Sequence, residues 1–261
     1  MTDDRRIEPS KIQRRTAIAL LAVVAAAAVI VACIAGYYAR RFYAEQAELT
    51  LRPTFEQRYV VSNARLAQPT RTRVVMFGDS RIEEWMPTPD ALDFEFVWRG
   101  VPGETTSQMV HRYRADTNAI AASIVVIEAG VNDIVSGVAI DEGQSALERT
   151  FLNLKLMVDE SVRAGAAVIL ITVIPPTSPP LLRRVVWSDA VYGLVSQLNE
   201  RLRTLASPSV SVLDAQRLLC GTADRLPKRM ARDTVHLVPA AYVSLNQELI
   251  THLRAVSRAV Q

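Results

Sequence analysis

A chain of 261 residues has room for one sizeable domain with a buried core and an appendage beside it. Its net charge of +3 comes from arginines spread along the chain, with no basic patch interleaved with aromatics, which argues against nucleic acid as a partner. Two cysteines, Cys33 and Cys220, leave no room for a disulfide framework, and the lack of CxxC, HExxH or a glycine-rich phosphate loop gives no support for a metal or any other cofactor.

Residues 1–15 are polar and carry Arg5, Arg6, Lys11, Arg14 and Arg15. From Thr16 to Tyr38 no residue is charged, and Ala, Val, Leu and Ile dominate. An α-helix needs roughly 20 apolar residues to cross a bilayer. A helix buried in a globular core is rarely apolar on every face for so long. Tyr37 and Tyr38, followed by Arg40 and Arg41, form an interfacial belt. The expectation is a cytoplasmic N-terminus over 1–15 and a single-pass anchor over 16–38. The remainder then lies on the extracytoplasmic, periplasmic side, although Arg40, Arg41, Arg52 and Arg58 weaken the positive-inside bias. Two rivals exist. A cleaved signal peptide has a shorter apolar region. The run Ile30-Val31-Ala32-Cys33 resembles a bacterial lipoprotein box, which would make Cys33 a lipidated N-terminus, but the residues after it stay apolar. A lipid would change the anchor and not the side of the membrane. Segment 39–71 is mixed and charged, broken by Pro53 and Pro69, and is expected to be a juxtamembrane stalk or short helix.

The domain proper is expected over 72–261. The apolar run 74–77 predicts a buried strand stopping at Gly78-Asp79-Ser80, with a short helix over 81–85. Further strands are predicted at 94–98, 124–127, 167–174 and 210–213. Between them helices are predicted through Met109 and Tyr113, over 144–163 with Gly165 as its C-cap, over 186–205 and from Pro239 onward. Strands alternating with helices imply a parallel sheet covered on both faces. Five such units fit a doubly wound, flavodoxin-like α/β sheet.

Several strand ends deliver polar residues to one edge of that sheet, where open α/β sheets place their ligands. Ser80 is an alcohol that needs a base to become a nucleophile, although Asp79 and Ser80 also suit the cap of the next helix. Gly103, in a tight loop, can present a backbone N–H with no side chain in the way. Asn132 offers a side-chain amide, and converging donors are what a developing oxyanion requires. Of the three histidines, His111 and His252 fall within helical patterns. His236 lies in a loop, three residues after Asp233, a spacing that can put both side chains on one side of a turn into a helix. Asp233 or its carbonyl can then hold one imidazole nitrogen while the other faces Ser80.

Gly78-Asp79-Ser80, Gly103-Glu104-Thr105-Thr106, Gly130-Val131-Asn132-Asp133 and Asp233-Thr234-Val235-His236-Leu237 resemble, in order, the four blocks of the SGNH (GDSL-type) hydrolases. The resemblance spans about residues 72–255, with Thr234 where a glycine is often found. It implies Ser80 as nucleophile, His236 as base and Asp233 as its partner, with an oxyanion hole from the Ser80 and Gly103 N–H groups and the Asn132 amide. No G-x-S-x-G occurs, which excludes the α/β-hydrolase elbow as the source of the serine. The expected function is a membrane-anchored serine esterase that cleaves small acyl esters, acetyl first, from envelope carbohydrate or lipid through an acyl-enzyme. An O-acyltransferase using the same residues and a non-catalytic binding module on the hydrolase fold are the alternatives.

Overall fold

The computed structural model describes residues 11–51, 58–85 and 93–260. Residues 1–10 of the expected cytoplasmic segment, and Arg52 and Pro53 of the expected stalk, lie outside the described residues. The chain divides into two compact units, the first ending at Tyr43.

Helix α1 (Lys11–Leu51) contains the whole uncharged run and continues through the first part of the segment expected to be a stalk. Alanine and leucine favour helix intrinsically. The apolar side chains point outward on every face: Leu20, Val24, Ile30 and Ile34 are all exposed. The helix is long and apolar enough to cross a membrane.

The second unit is built on a five-stranded parallel sheet in the order β2-β1-β3-β4-β5, comprising β1 (Thr72–Gly78), β2 (Phe94–Gly100), β3 (Ile124–Glu128), β4 (Ala167–Ile171) and β5 (Val210–Leu213). Successive side chains in a strand point to opposite faces, and the sheet divides its apolar residues accordingly. Val74, Met76, Val126, Ile169 and Leu213 pack against α8 (Ala215–Cys220) and α9 (Pro239–Val260). Val75, Phe77, Val125, Ile127 and Leu170 pack against α4 (Thr106–Asp116), α6 (Gly143–Arg163) and α7 (Ala190–Arg203). Both faces are dry, which is why the strands are apolar runs rather than alternating patterns.

Register aligns the strand ends. Gly78 pairs with Gly100 on one side and with Glu128 on the other, so β1, β2 and β3 release their loops at one edge. A Cβ on Gly78 would lie 2.0 Å from the Glu128 carbonyl oxygen, so the close approach of β1 to β3 requires glycine there.

The structure differs from the sequence reading in several places. β4 ends at Ile171, short of the expected 174, because the Asn199 side chain takes the Val173 N–H and carbonyl at 2.7 and 2.8 Å, and residues 181–185 form a 3-10 turn ahead of α7. The pattern does not reveal α5 (Val131–Ala139) or α8, which are too short for a clear period. The end of the expected stalk is fastened to the sheet edge. Ahead of α2 (Val60–Ala64) the Tyr59 hydroxyl donates to the Gly100 carbonyl at 2.6 Å, and from α2 the Asn63 amide donates to Asp116 Oδ1 at 2.6 Å.

Candidate active site

Ser80 opens α3 (Ser80–Glu83), directly after β1 and its N-cap Asp79. Asp79 does cap, since its Oδ1 accepts the Arg81 N–H at 2.9 Å. As the first residue of α3, Ser80 carries an N–H without an intrahelical acceptor. The loop ahead of α9 brings His236 to it, with Ser80 Oγ 3.0 Å from His236 Nε2. On the far side of the ring, His236 Nδ1 lies 2.8 Å from Asp233 Oδ2. Asp233 Oδ1 accepts the N–H groups of Val235 and His236, each at 2.9 Å. The interval of three residues therefore closes a local ring of hydrogen bonds that orients carboxylate and imidazole together. Partial burial pushes the Asp233 carboxyl up, but the N–H groups of His236 and Val235 and the imidazole beside it bring it down to about 2.

The loop after β2 forms the other wall. Gly103 has φ +74°, a conformation that other residues adopt only with strain, and among the described residues no atom beyond its own and its chain neighbours' lies within 4 Å of where its Cβ would be. Asn132, in the first turn of α5, donates through Nδ2 to the Glu104 carbonyl at 3.0 Å. An amide nitrogen has two hydrogens, and this bond uses one of them. Asp133 accepts the Thr106 N–H at 3.0 Å and the Thr106 hydroxyl at 2.6 Å, pinning the start of α4 to α5. Arg112 reaches from α4 to the Glu104 carboxylate at 2.8 Å and the Gly78 carbonyl at 3.2 Å. The loop that carries Gly103 is thus fastened to β1, α4 and α5.

A second layer escaped the sequence reading. Arg81, immediately after the serine, is 1% exposed. Its guanidinium donates to Glu128 Oε1 at 3.2 Å and to the Ile174 carbonyl at 2.8 Å. Nε and Nη2 donate to the Val235 carbonyl at 3.0 and 2.8 Å. One side chain therefore joins the helix that opens on Ser80, the end of β3, the segment after β4 and the histidine loop. Asp79 Oδ2 and Glu128 Oε2 are buried without a donor among the described residues. Burial raises both carboxyls, Asp79 the more, and their mutual repulsion adds to the rise in Asp79. The Arg81 guanidinium beside Glu128 works against the rise in both carboxyls. The signal in the sequence was Glu128 itself, a charge ending the apolar run 124–127.

The other histidines stay apart from this cluster: His111 is exposed on α4, and His252 Nδ1 meets Ser211 Oγ at 2.7 Å. Among the described residues no group of three His, Cys, Asp or Glu side chains is placed to hold a metal.

The profile of the GDSL-like Lipase/Acylhydrolase family matches residues 69–243. A GDSL-like lipase from Bacteroides thetaiotaomicron is 28% identical with a TM-score of 0.64, over 78% of this chain and 97% of that one. A carbohydrate acetylesterase from Sinorhizobium meliloti is 14% identical with a TM-score of 0.57, over 71% and 100%. An acetyl xylan esterase is 17% identical with a TM-score of 0.55, over 69% and 98%. The last two show likeness of fold alone. No curated protein matches the chain.

Proposed function

Because the chain belongs to the GDSL-like Lipase/Acylhydrolase family, and is thereby a serine ester hydrolase, we propose that Ser80 is its nucleophile, His236 its general base and Asp233 the group that orients the base. The observation that carries this reading is the unbroken line of hydrogen bonds from Ser80 Oγ through the imidazole to Asp233, at 3.0 and 2.8 Å.

Neutral His236 takes the Ser80 proton on Nε2 as Oγ attacks the acyl carbon. The carbonyl oxygen becomes an oxyanion and accepts hydrogen bonds from the Ser80 and Gly103 N–H groups and from Asn132 Nδ2. The imidazolium, stabilised by Asp233, returns its proton to the alkoxide as the C–O bond breaks, and the alcohol leaves. Water then attacks the acyl-enzyme and gives a proton to His236. Collapse of the second intermediate frees the carboxylic acid, and Ser80 recovers its proton.

Small acyl esters, acetyl first, on envelope carbohydrate or lipid are the substrates this reading favours. Support comes from the exposed apolar helix α1 as a tether and from the names of two structural neighbours, both sugar acetylesterases. On this reading the hydrolase domain lies on the extracytoplasmic side, because the basic residues ahead of Thr16 favour a cytoplasmic N-terminus. Two experiments test the proposal. A fluorophosphonate should label Ser80 and no other serine, and absence of labelling in a folded chain removes the nucleophile. Protease added to spheroplasts should digest the region after Tyr38, and its protection in sealed cells reverses the orientation.

A further inference from the structure

The histidine loop borders a cleft of about 540 Å³ walled by segment 177–183, which follows β4, and by loop 228–234. The Thr177 N–H donates to the Thr234 carbonyl at 2.9 Å and joins the two walls. Asp233 and Thr234, which lead into His236, belong to the lining. Pro179 and Pro180 restrict the backbone that presents Arg183.

The charge in this cleft is one-sided. Arg183, Lys228 and Arg232 line it, against the single carboxylate of Asp233. That carboxylate is already committed to two backbone N–H groups and to His236. Arg232 is committed to Glu84 at 2.8 Å. Arg183 rests 5.4 Å from the Trp187 ring centroid, and neither it nor Lys228 has an acidic partner among the described residues. Two cations therefore line the cleft without an ion-pair partner among the described residues.

The direction of the chemistry decides which half of an ester lies there. His236 protonates the departing oxygen, so the alcohol leaves on the histidine side, while the oxyanion donors hold the carbonyl on the other. We propose that the cleft is the subsite for the alcohol half of the ester and that it selects alcohols bearing an anionic group, a phosphate or a carboxylate, held by Arg183 and Lys228. The inference rests on the hydrolase reading of Ser80 and His236 and names the substrate class of that site.

The test uses the full chain in detergent and two esters with the same acetyl group, 4-acetoxybenzoate and its neutral methyl ester. Arg183→Ala and Lys228→Ala together should lower kcat/KM for the anionic ester about tenfold, through KM, and lower the ratio of anionic to neutral turnover. Arg163→Ala, which removes a charge where α6 leads into the opposite edge of the sheet, should leave that ratio unchanged. A ratio unmoved by the double substitution overturns the subsite, as does an equal fall with Arg163→Ala. Glycerol 1-phosphate or glucuronate should inhibit, less well in the double variant, and the stronger of the two identifies the group. Inhibition by neither overturns the proposal. If the unaltered chain cleaves neither ester, the hydrolase reading fails, and binding decides the cleft by itself. Calorimetry of 4-hydroxybenzoate and glycerol 1-phosphate on the Ser80→Ala chain should show a Kd raised about tenfold by the two substitutions. An unchanged Kd, or no binding, overturns it.

Discussion

Ser80 and His236 stand 3.0 Å apart, yet their supports follow opposite designs. The serine is held from below by Asp79, Arg81 and Glu128, none of them more than 1% exposed. Water cannot replace any bond lost there, and two of the three groups are carboxyls raised by burial. The histidine is held by Asp233, whose side chain is 48% exposed and whose carboxyl is brought down to about 2 by neighbouring donors. That support is local, wet and built from backbone N–H groups. Arg81 joins the two through the Val235 carbonyl. The alignment of Ser80 with His236 thus rests on a buried network, while the tautomer of the imidazole rests on a turn that solvent can reach.

The largest expected effect falls on the proposed reacting pair, where the two supports meet. Ser80→Ala and His236→Ala should each cost at least about ten-thousandfold in kcat on 4-nitrophenyl acetate, with the double variant little worse. Losses that multiply would break the pair into independent groups.

Next comes the buried side. Arg81→Leu leaves Glu128 without its cation and should cost about 3–5 kcal/mol in denaturant unfolding. Adding Glu128→Leu should recover part of that loss, because the orphaned charge is gone. A single variant as stable as the parent would show that the network carries no strain of burial.

Asn132→Ala removes one proposed donor to the oxyanion without disturbing either support. The expected fall in kcat is about a hundred- to a thousandfold with KM little changed, and full kcat in a folded variant would remove the oxyanion role. On the wet side, Asp233→Ala should cost about a hundredfold, since an orienting carboxylate is less critical than the base it serves. A loss as large as that of His236→Ala would place the two supports on an equal footing.

The smallest effect separates the sides by sign. Asp233, lowered to about 2, stabilises the fold above the unfolded carboxylate range near pH 4, and the contribution is lost as the pH falls toward 2. Screening at this exposed position keeps it under about 1 kcal/mol. Asp79, raised by burial, contributes most below about pH 4 and less as the pH rises. Asp233→Asn should therefore flatten the acid limb of a Tm–pH curve and Asp79→Asn the neutral limb. Any exchange of these outcomes would reverse the assignment of charge.

Period and punctuation in the chain were sufficient for the doubly wound sheet, because buried parallel strands are continuous apolar runs set apart by polar, glycine- and proline-bearing segments. The same reasoning located Ser80, Gly103 and Asn132 at strand ends, and the Asp233–His236 ring closes within three residues, where spacing alone decides reach. Only tertiary structure decided that Ser80 meets His236 across 156 residues, that Arg81 is buried rather than solvated, and that burial raises the Glu128 and Asp79 carboxyls. It also decided that Tyr59 and Asn63 dock on the sheet edge and that Arg183 and Lys228 face one cleft. Local sequence records what a residue prefers over a few neighbours. Burial, partner and charge state at these positions are set by the register of the strands and by the packing of distant segments, which no short stretch of chain encodes.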